Sequence, residues 1–249
     1  LLRRSGRRDP TTEFRRAFES LHPAAPGLSL TAGAAVLGAP LTAHKTLAIH
    51  YANLLLPHLV GGRAWSCLEI GAGSGYLAAL IRHLRPGRLV IVDLPEILPF
   101  SFLTLNRIFP DAPFRLPHET GNFDADPADR CMYFLTADQA ASIPSGSVDL
   151  AVNTASFGEM LPEQIAAYFA LLRRCARADG LFFTSNRVEK WMKRPAADAD
   201  PIAIRFEDYP WLPGDRDVFY GLSDFHARVQ PENPVYSRLC RLTQQPVRQ

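Results

Sequence analysis

A chain of 249 residues, 47% of them apolar, is long enough to bury the core of one α/β domain with modest additions. Its net charge of +2 and sequence pI near 8.4 leave no electrostatic footprint for nucleic acid, and no run approaches the ~18 consecutive apolar residues of a membrane-crossing helix. Cys67, Cys131, Cys175 and Cys240 stand singly, without zinc spacing or a disulfide framework, which points to a reducing, cytoplasmic compartment.

At the front, Arg3, Arg4, Arg7 and Arg8 form a basic cluster that reads as a solvated arm. Residues 23–40, rich in Pro, Gly and Ala, are expected to form an irregular wrap. Residues 1–40 are thus an N-terminal arm and wrap, and 41–249 one domain entered through a helical extension. Leu47, Ala48, Tyr51, Leu54, Leu55 and Leu59 recur at helical spacing over 41–59, with His44 and His58 on the same stripe.

Next, an apolar strand ends at Ile70, and a helix with Tyr76, Leu77, Leu80, Ile81 and Leu84 on one face stops at Arg85-Pro86-Gly87. A second strand, Arg88 to Asp93, leads into a helix opened by Pro95 and ended by Pro110. The polar segment 111–130 has no clear period and reads as a long loop. Strands follow at 131–135 and 148–154, then a helix opened by Pro162, with arginines in its last turn and Gly180 as its stop, and a strand at 181–184. Alternating strands and helices over 65–186 imply a parallel sheet covered on both faces. Apolar runs at 217–221 and 235–242 add an antiparallel hairpin, for seven strands in all.

Chemistry concentrates in residues 68–76, Leu-Glu-Ile-Gly-Ala-Gly-Ser-Gly-Tyr. A buried strand runs into a glycine turn that lets a ligand approach the backbone, and a helix begins at Tyr76. A dinucleotide fold needs a third glycine where Tyr76 stands, so a nicotinamide dehydrogenase is disfavoured. Asp93 lies 22 residues after Gly71, at the tip of the second strand, where an acid accepts hydrogen bonds from ribose hydroxyls. Its alternative is a cap for the Pro95 helix.

The acid-x-Gly-x-Gly-x-Gly pattern resembles the first motif of class I S-adenosylmethionine-dependent methyltransferases. That resemblance implies a doubly wound, Rossmann-like, mostly parallel sheet, with S-adenosyl-L-methionine as cofactor and S-adenosyl-L-homocysteine as product. It places Glu69 at the amino end of the ligand, Gly71, Ala72, Gly73 and Gly75 in the turn beneath it, and Asp93 with Leu94 at the ribose. Asp138 is assigned to the adenine amino group, with Thr136 and Ala137 as backbone contacts and a surface turn as the alternative. Asn153, at the tip of the fourth strand, completes the cofactor set.

Residues 90–96, 134–136, 148–160 and 185–187 look more narrowly like a bacterial sugar O-methyltransferase family. This implies methyl transfer to a hydroxyl of a small, sugar-like acceptor, with no nucleic-acid or membrane partner. A sugar hydroxyl is a poor acid, so a base is expected. Glu159 is the first candidate, with His118 and His226 as the others; Glu159 could instead favour the Pro162 helix through its dipole. Ser156, Asn186 and Arg187 are candidate acceptor contacts. Arg187 could pair a carboxylate or phosphate on the acceptor, or form a salt bridge with Glu189 or Glu207. Phe206, Tyr209, Trp211, Phe219 and Tyr220 supply core and a candidate stacking wall. No metal-ligand spacing is present. The alternatives are an N- or carboxyl-methyltransferase on another metabolite, and a non-catalytic cofactor-binding protein.

Overall fold

Successive residues of the inner strands face opposite layers, and this alternation builds two cores in a computed structural model that describes residues 9–23, 27–59, 64–119, 130–193 and 200–243. Leu89, Ile91, Met132 and Phe134 point to one side, while Val90, Val92, Tyr133 and Leu135 point to the other. Continuous apolar runs buried on both faces are what a covered parallel sheet requires. The arginine cluster at the front and residues 120–129 of the expected loop lie outside the described residues.

In chain order the helices are α1 (Pro10–Leu21), α2 (Leu30–Leu37), α3 (Ala43–Leu55), α4 (Tyr76–Leu84), α5 (Leu98–Ile108), α6 (Pro162–Cys175) and α7 (Asp224–Val229). The strands are β1 (Ser66–Ile70), β2 (Arg88–Asp93), β3 (Phe114–Arg115), β4 (Met132–Thr136), β5 (Val148–Thr154), β6 (Ala176–Arg187), β7 (Glu189–Met192), β8 (Ile202–Arg205), β9 (Arg216–Leu222) and β10 (Val235–Arg241). The main sheet has eight strands in the order β3-β4-β2-β1-β5-β6-β10-β9. All pairs from β3 to β6 are parallel, and β10 is antiparallel to both of its neighbours. The chain leaves β1 toward β2 on one side and returns to β5 on the other, so the order reverses at β1. A crevice opens there, at the carboxyl ends of the strands.

Several elements differ from the sequence reading. The sheet gains an eighth strand, because Phe114 and Arg115 of the expected loop pair with Met132 and Tyr133. Residues 30–37 form α2 rather than an irregular wrap: Ser29 caps it through the Ala32 N–H, and Gly33 lies so close to Ile49 of α3 that a Cβ would meet its side chain at 2.2 Å. The helix from Pro162 ends at Cys175, five residues before Gly180, because Ala176 turns extended to pair with Val148 and the carbonyls of Arg174 and Cys175 accept from the N–H groups of Gly146 and Ser147 at 3.0 and 2.8 Å. Arg173 makes a buried two-bond ion pair with Asp215 at 2.7 and 2.9 Å, and Arg174 donates to the carbonyls of Ile143 and Ala141. Strand β6 begins at Ala176. The β7–β8 ribbon, with Glu189 paired to Arg205, has apolar alternation too short to stand out in the sequence.

Among the described residues, no helix is long and apolar enough to cross a membrane. The aromatic run belongs mostly to the core. Phe206 and Tyr209 are buried with Phe157 and Phe169, while the Arg238 guanidinium lies 4.0 Å from the centroid of Trp211.

Candidate active site

Sheet register places the tips of β1, β2, β4 and β5 side by side. Ile70 is level with Val92 and Asn153, and Asp93 with Thr136. The glycine turn leaves β1 at this edge. Gly71, Gly73 and Gly75 all have positive φ, at 72°, 54° and 72°, a region that L side chains seldom adopt. They differ in what surrounds them. A Cβ on Gly71 would meet Ser156 Oγ at 2.3 Å and one on Gly75 would meet Ser101 at 3.1 Å, whereas one on Gly73 would meet no atom of the described residues within 4 Å. The side of Gly73 that a side chain would occupy thus opens into the crevice.

Asp93 fastens the turn. Its Oδ2 accepts from the Gly73 N–H at 2.9 Å and its Oδ1 from the Leu94 N–H at 2.8 Å. The alternative of a helix cap is not what forms, since α5 begins at Leu98 after a separate turn and has Ile97 at its N-cap. Burial raises the Asp93 carboxyl above its ordinary value, against the lowering effect of the two N–H donors.

Glu69 is the most unusual group at this edge. It is 2% exposed and its Oε2 has no hydrogen-bond partner among the described residues. Burial pushes its carboxyl up to about 8, opposed by a hydrogen bond from the Ala78 backbone and reinforced by the charge of Asp93. An unpartnered buried carboxylate oxygen is costly, and native structures seldom keep one without use.

These groups line a cavity of about 720 Å³, within the range of ligand sites. Of the expected cofactor residues, Glu69, Gly71, Ala72, Gly73, Asp93, Leu94 and Ala137 line it. Gly75, Thr136, Asp138 and Asn153 do not. Gly75 starts α4 behind the turn. The Thr136 N–H is bound by Gln139 at 3.0 Å, and Asp138 is exposed on a neighbouring hollow shared with Arg174. Asn153 is fully buried with both amide ends committed, donating to the Ile70 carbonyl and to Ser156 Oγ and accepting from Asn186 at 2.8 Å. It braces the turn from behind.

A second cavity of about 300 Å³ adjoins the first. His44, Leu47, Tyr51, Thr154, Ala155 and Glu159 line both, which defines a junction between them. Ala155 is the one described non-glycine residue with positive φ, at 59°. That strained backbone turns the chain out of β5 where the cavities meet. Ser156 lines the larger cavity, and Arg187 and Asn186 the smaller, although the Asn186 amide is taken up by Asn153, Thr184 and Gly158.

The three expected bases fall in different places. Glu159 is at the junction, its side chain 65% exposed and ion-paired with Lys190. His226 lines the second cavity, but burial pushes its imidazole down to about 4 and its Nδ1 is engaged with Ser223 at 2.9 Å. His118 is exposed in the turn Pro117–Glu119 and lines neither cavity.

Sequence reasoning did not assign His44 and Tyr51 of α3 or Gln164 and Tyr168 of α6 to the site. The polar residues on the apolar stripe of α3 were the available signal for the first two. Tyr51 donates to Ser185 at 3.0 Å, and burial raises its phenol to a value at which it keeps its proton. Burial and the charge of Asp93 likewise raise the Tyr168 phenol.

The architecture is the Rossmann-like methyltransferase fold. Among solved structures, the chain resembles the 1,6-didemethyltoxoflavin-N1-methyltransferase of Burkholderia thailandensis, solved with 1,6-didemethyltoxoflavin and S-adenosylhomocysteine bound (TM-score 0.53, 17% identity, 79% of this chain and 78% of that one). It also resembles the PH0226 protein of Pyrococcus horikoshii OT3 (TM-score 0.51, 10% identity, 84% and 95%). At these identities the likeness is one of fold. No family model and no curated protein matches the sequence.

Proposed function

We propose that this chain is an S-adenosylmethionine-dependent methyltransferase acting on a hydroxyl oxygen of a small acceptor, with the cofactor in the larger cavity and the acceptor in the adjoining one. The observation that carries the reading is the buried Oε2 of Glu69, without a partner among the described residues, in the same cavity that Gly73 opens onto. A ligand ammonium would satisfy that oxygen, whereas the pyrophosphate of a dinucleotide would meet the carboxylates of Glu69 and Asp93. Asp93 keeps lone pairs for ribose hydroxyls while its backbone donors hold it in place. Leu94, Ile97, Ala137 and Tyr168 give the outer part of the cavity apolar surface suited to a purine.

Bound S-adenosylmethionine supplies a methyl group on a sulfonium centre. The chain's own residues must align the acceptor and take its proton. Of the titratable groups lining both cavities, Tyr51 is committed to Ser185 and Glu159 to Lys190. His44 has no partner among the described residues, and we assign it the proton. Glu159, the first candidate from the sequence, faces the same junction and is the second. A sugar-like acceptor is the finer part of the proposal, supported by the mixture of apolar walls and polar groups around the second cavity.

Asp93→Ala is expected to weaken S-adenosylhomocysteine binding at least tenfold, since each hydrogen bond to a charged group contributes ~1.5–3 kcal/mol. Calorimetric titration checks this. Unchanged affinity in a folded variant would remove Asp93 from the site.

A further inference from the structure

Arg187, at the end of β6, lines the second cavity with its side chain exposed, and no hydrogen bond or ion pair engages its guanidinium among the described residues. The carboxylates that the sequence offered it are placed elsewhere. Glu189 pairs with Arg205 and also accepts from Trp191, and Glu207 forms no ion pair with Arg187. Within the cavity, Glu159 is held by Lys190. Among the described residues the charged lining therefore consists of Arg187, Lys190 and Glu159, with one cation in excess, while burial keeps His226 neutral at physiological pH.

This local excess is not a share of a generally basic surface, because the whole chain carries a net charge of only +2. The same cavity presents apolar surface from Phe14 of α1, Leu47 and Tyr51 of α3, and Val235, which stands opposite Arg187 in the β6–β10 ladder. A planar guanidinium whose donors are not taken up by the described residues can pair a carboxylate or phosphate through two parallel hydrogen bonds.

We propose that the second cavity takes a small acceptor bearing a carboxylate or phosphate, and that Arg187 anchors this anionic group while the reacting atom lies at the junction with the larger cavity. The inference rests on the methyltransferase reading for the word acceptor, but the anion site can be tested without turnover. Lys190 is not the anchor, since Glu159 already neutralises it. Arg187 is exposed and bonds no other described side chain, so its replacement leaves the fold intact.

The test is calorimetric titration of wild type, Arg187→Gln and Arg187→Lys. The probes are 4-hydroxybenzoate, glucuronate and glucose 6-phosphate, each beside a neutral counterpart (4-hydroxybenzamide or glucose), with S-adenosylhomocysteine titrated in parallel. At least one acid is expected to bind wild type more tightly than its neutral counterpart, and Arg187→Gln to reduce that affinity roughly tenfold to a hundredfold. Arg187→Lys should recover only part of it, and affinity for S-adenosylhomocysteine should be the same in all three proteins. The carboxylate and phosphate probes show which anion is preferred. Acids binding no better than neutral compounds, or Arg187→Gln binding them as wild type does, would overturn the anion site. If the acids bind through Arg187 while S-adenosylhomocysteine does not bind at all, the cofactor reading fails and the anion site stands.

Discussion

His44→Gln is expected to lower turnover by ~10²–10⁴ while leaving affinity for S-adenosylhomocysteine unchanged, because glutamine keeps polar bulk at the junction but cannot take a proton at neutral pH. His44 lines both cavities and gives up no partner among the described residues to act. Glu159→Gln should cost about tenfold or less, the effect of losing the Lys190 pair and of slight misplacement. The measurement is methyl transfer from labelled cofactor to an acceptor found in the titrations above. A large loss in Glu159→Gln with near-normal His44→Gln would return the proton to Glu159. If neither variant loses more than about tenfold, alignment alone is carrying the transfer.

Glu69→Gln is expected to have opposite effects on stability and on binding. In the folded chain burial raises the Glu69 carboxyl from 4.5 to about 8. A raised carboxyl stabilises fully below its unfolded value and loses that contribution as pH climbs through the folded one, so the wild type loses stability between about pH 4.5 and 8. At ~1.36 kcal/mol per unit the accumulated cost approaches about 4–5 kcal/mol at pH 8. Glutamine has no such titration. The free variant should match wild type near pH 4.5 and exceed it increasingly toward pH 8 in denaturant midpoint. Its affinity for S-adenosylhomocysteine should fall at least tenfold, because the ligand ammonium loses its charged partner. Wild-type binding near pH 7 should also release about one proton, seen as a binding enthalpy that changes with the ionisation enthalpy of the buffer. Equal stability at both pH values, or buffer-independent heat in wild type, would count against an uncharged Glu69 in the free protein.

Much of this architecture was legible because local signals agreed with one another. The glycine turn, the acid at the tip of β2 and the Pro-opened α6 each sit where strand and helix periods change, so motif and fold pointed to the same edge of the sheet. The distance from Gly71 to Asp93 placed this acid beside the glycine turn, and its bond to the Gly73 N–H shows the physical link between the two. Asn153 was placed correctly at the strand tip but not as a cavity residue. A strand-end asparagine can turn inward or outward, and the partners that turn it inward, Asn186 and Ser156, are decided by tertiary packing.

The junction was less legible for a related reason. His44 and Tyr51 lie on a helix that precedes the whole sheet in sequence and reaches the site only because α3 packs over the carboxyl edge. Polar groups on the apolar stripe of α3 were a hint, but the same pattern also fits core packing. The positive φ of Ala155 carries no sequence signal at all, since alanine is not a turn residue. Helix α2 was missed because glycine and alanine, read as loop composition, in fact permit its close approach to Ile49.

The central claim, that the cavity under the glycine turn binds the adenosyl cofactor, is tested most directly by calorimetric titration of S-adenosylhomocysteine into wild type and Gly73→Val. A Cβ at position 73 meets no atom of the described residues within 4 Å, and the strain of its positive φ, ~1–2 kcal/mol for an L residue and more for a β-branched one, is small against a domain stability of ~5–15 kcal/mol, so the variant should remain folded. The account predicts saturable binding at one site in wild type and none in the folded variant, whose side chains fill the space the ligand needs. No binding heat in wild type, or equal affinity in both proteins, would contradict it.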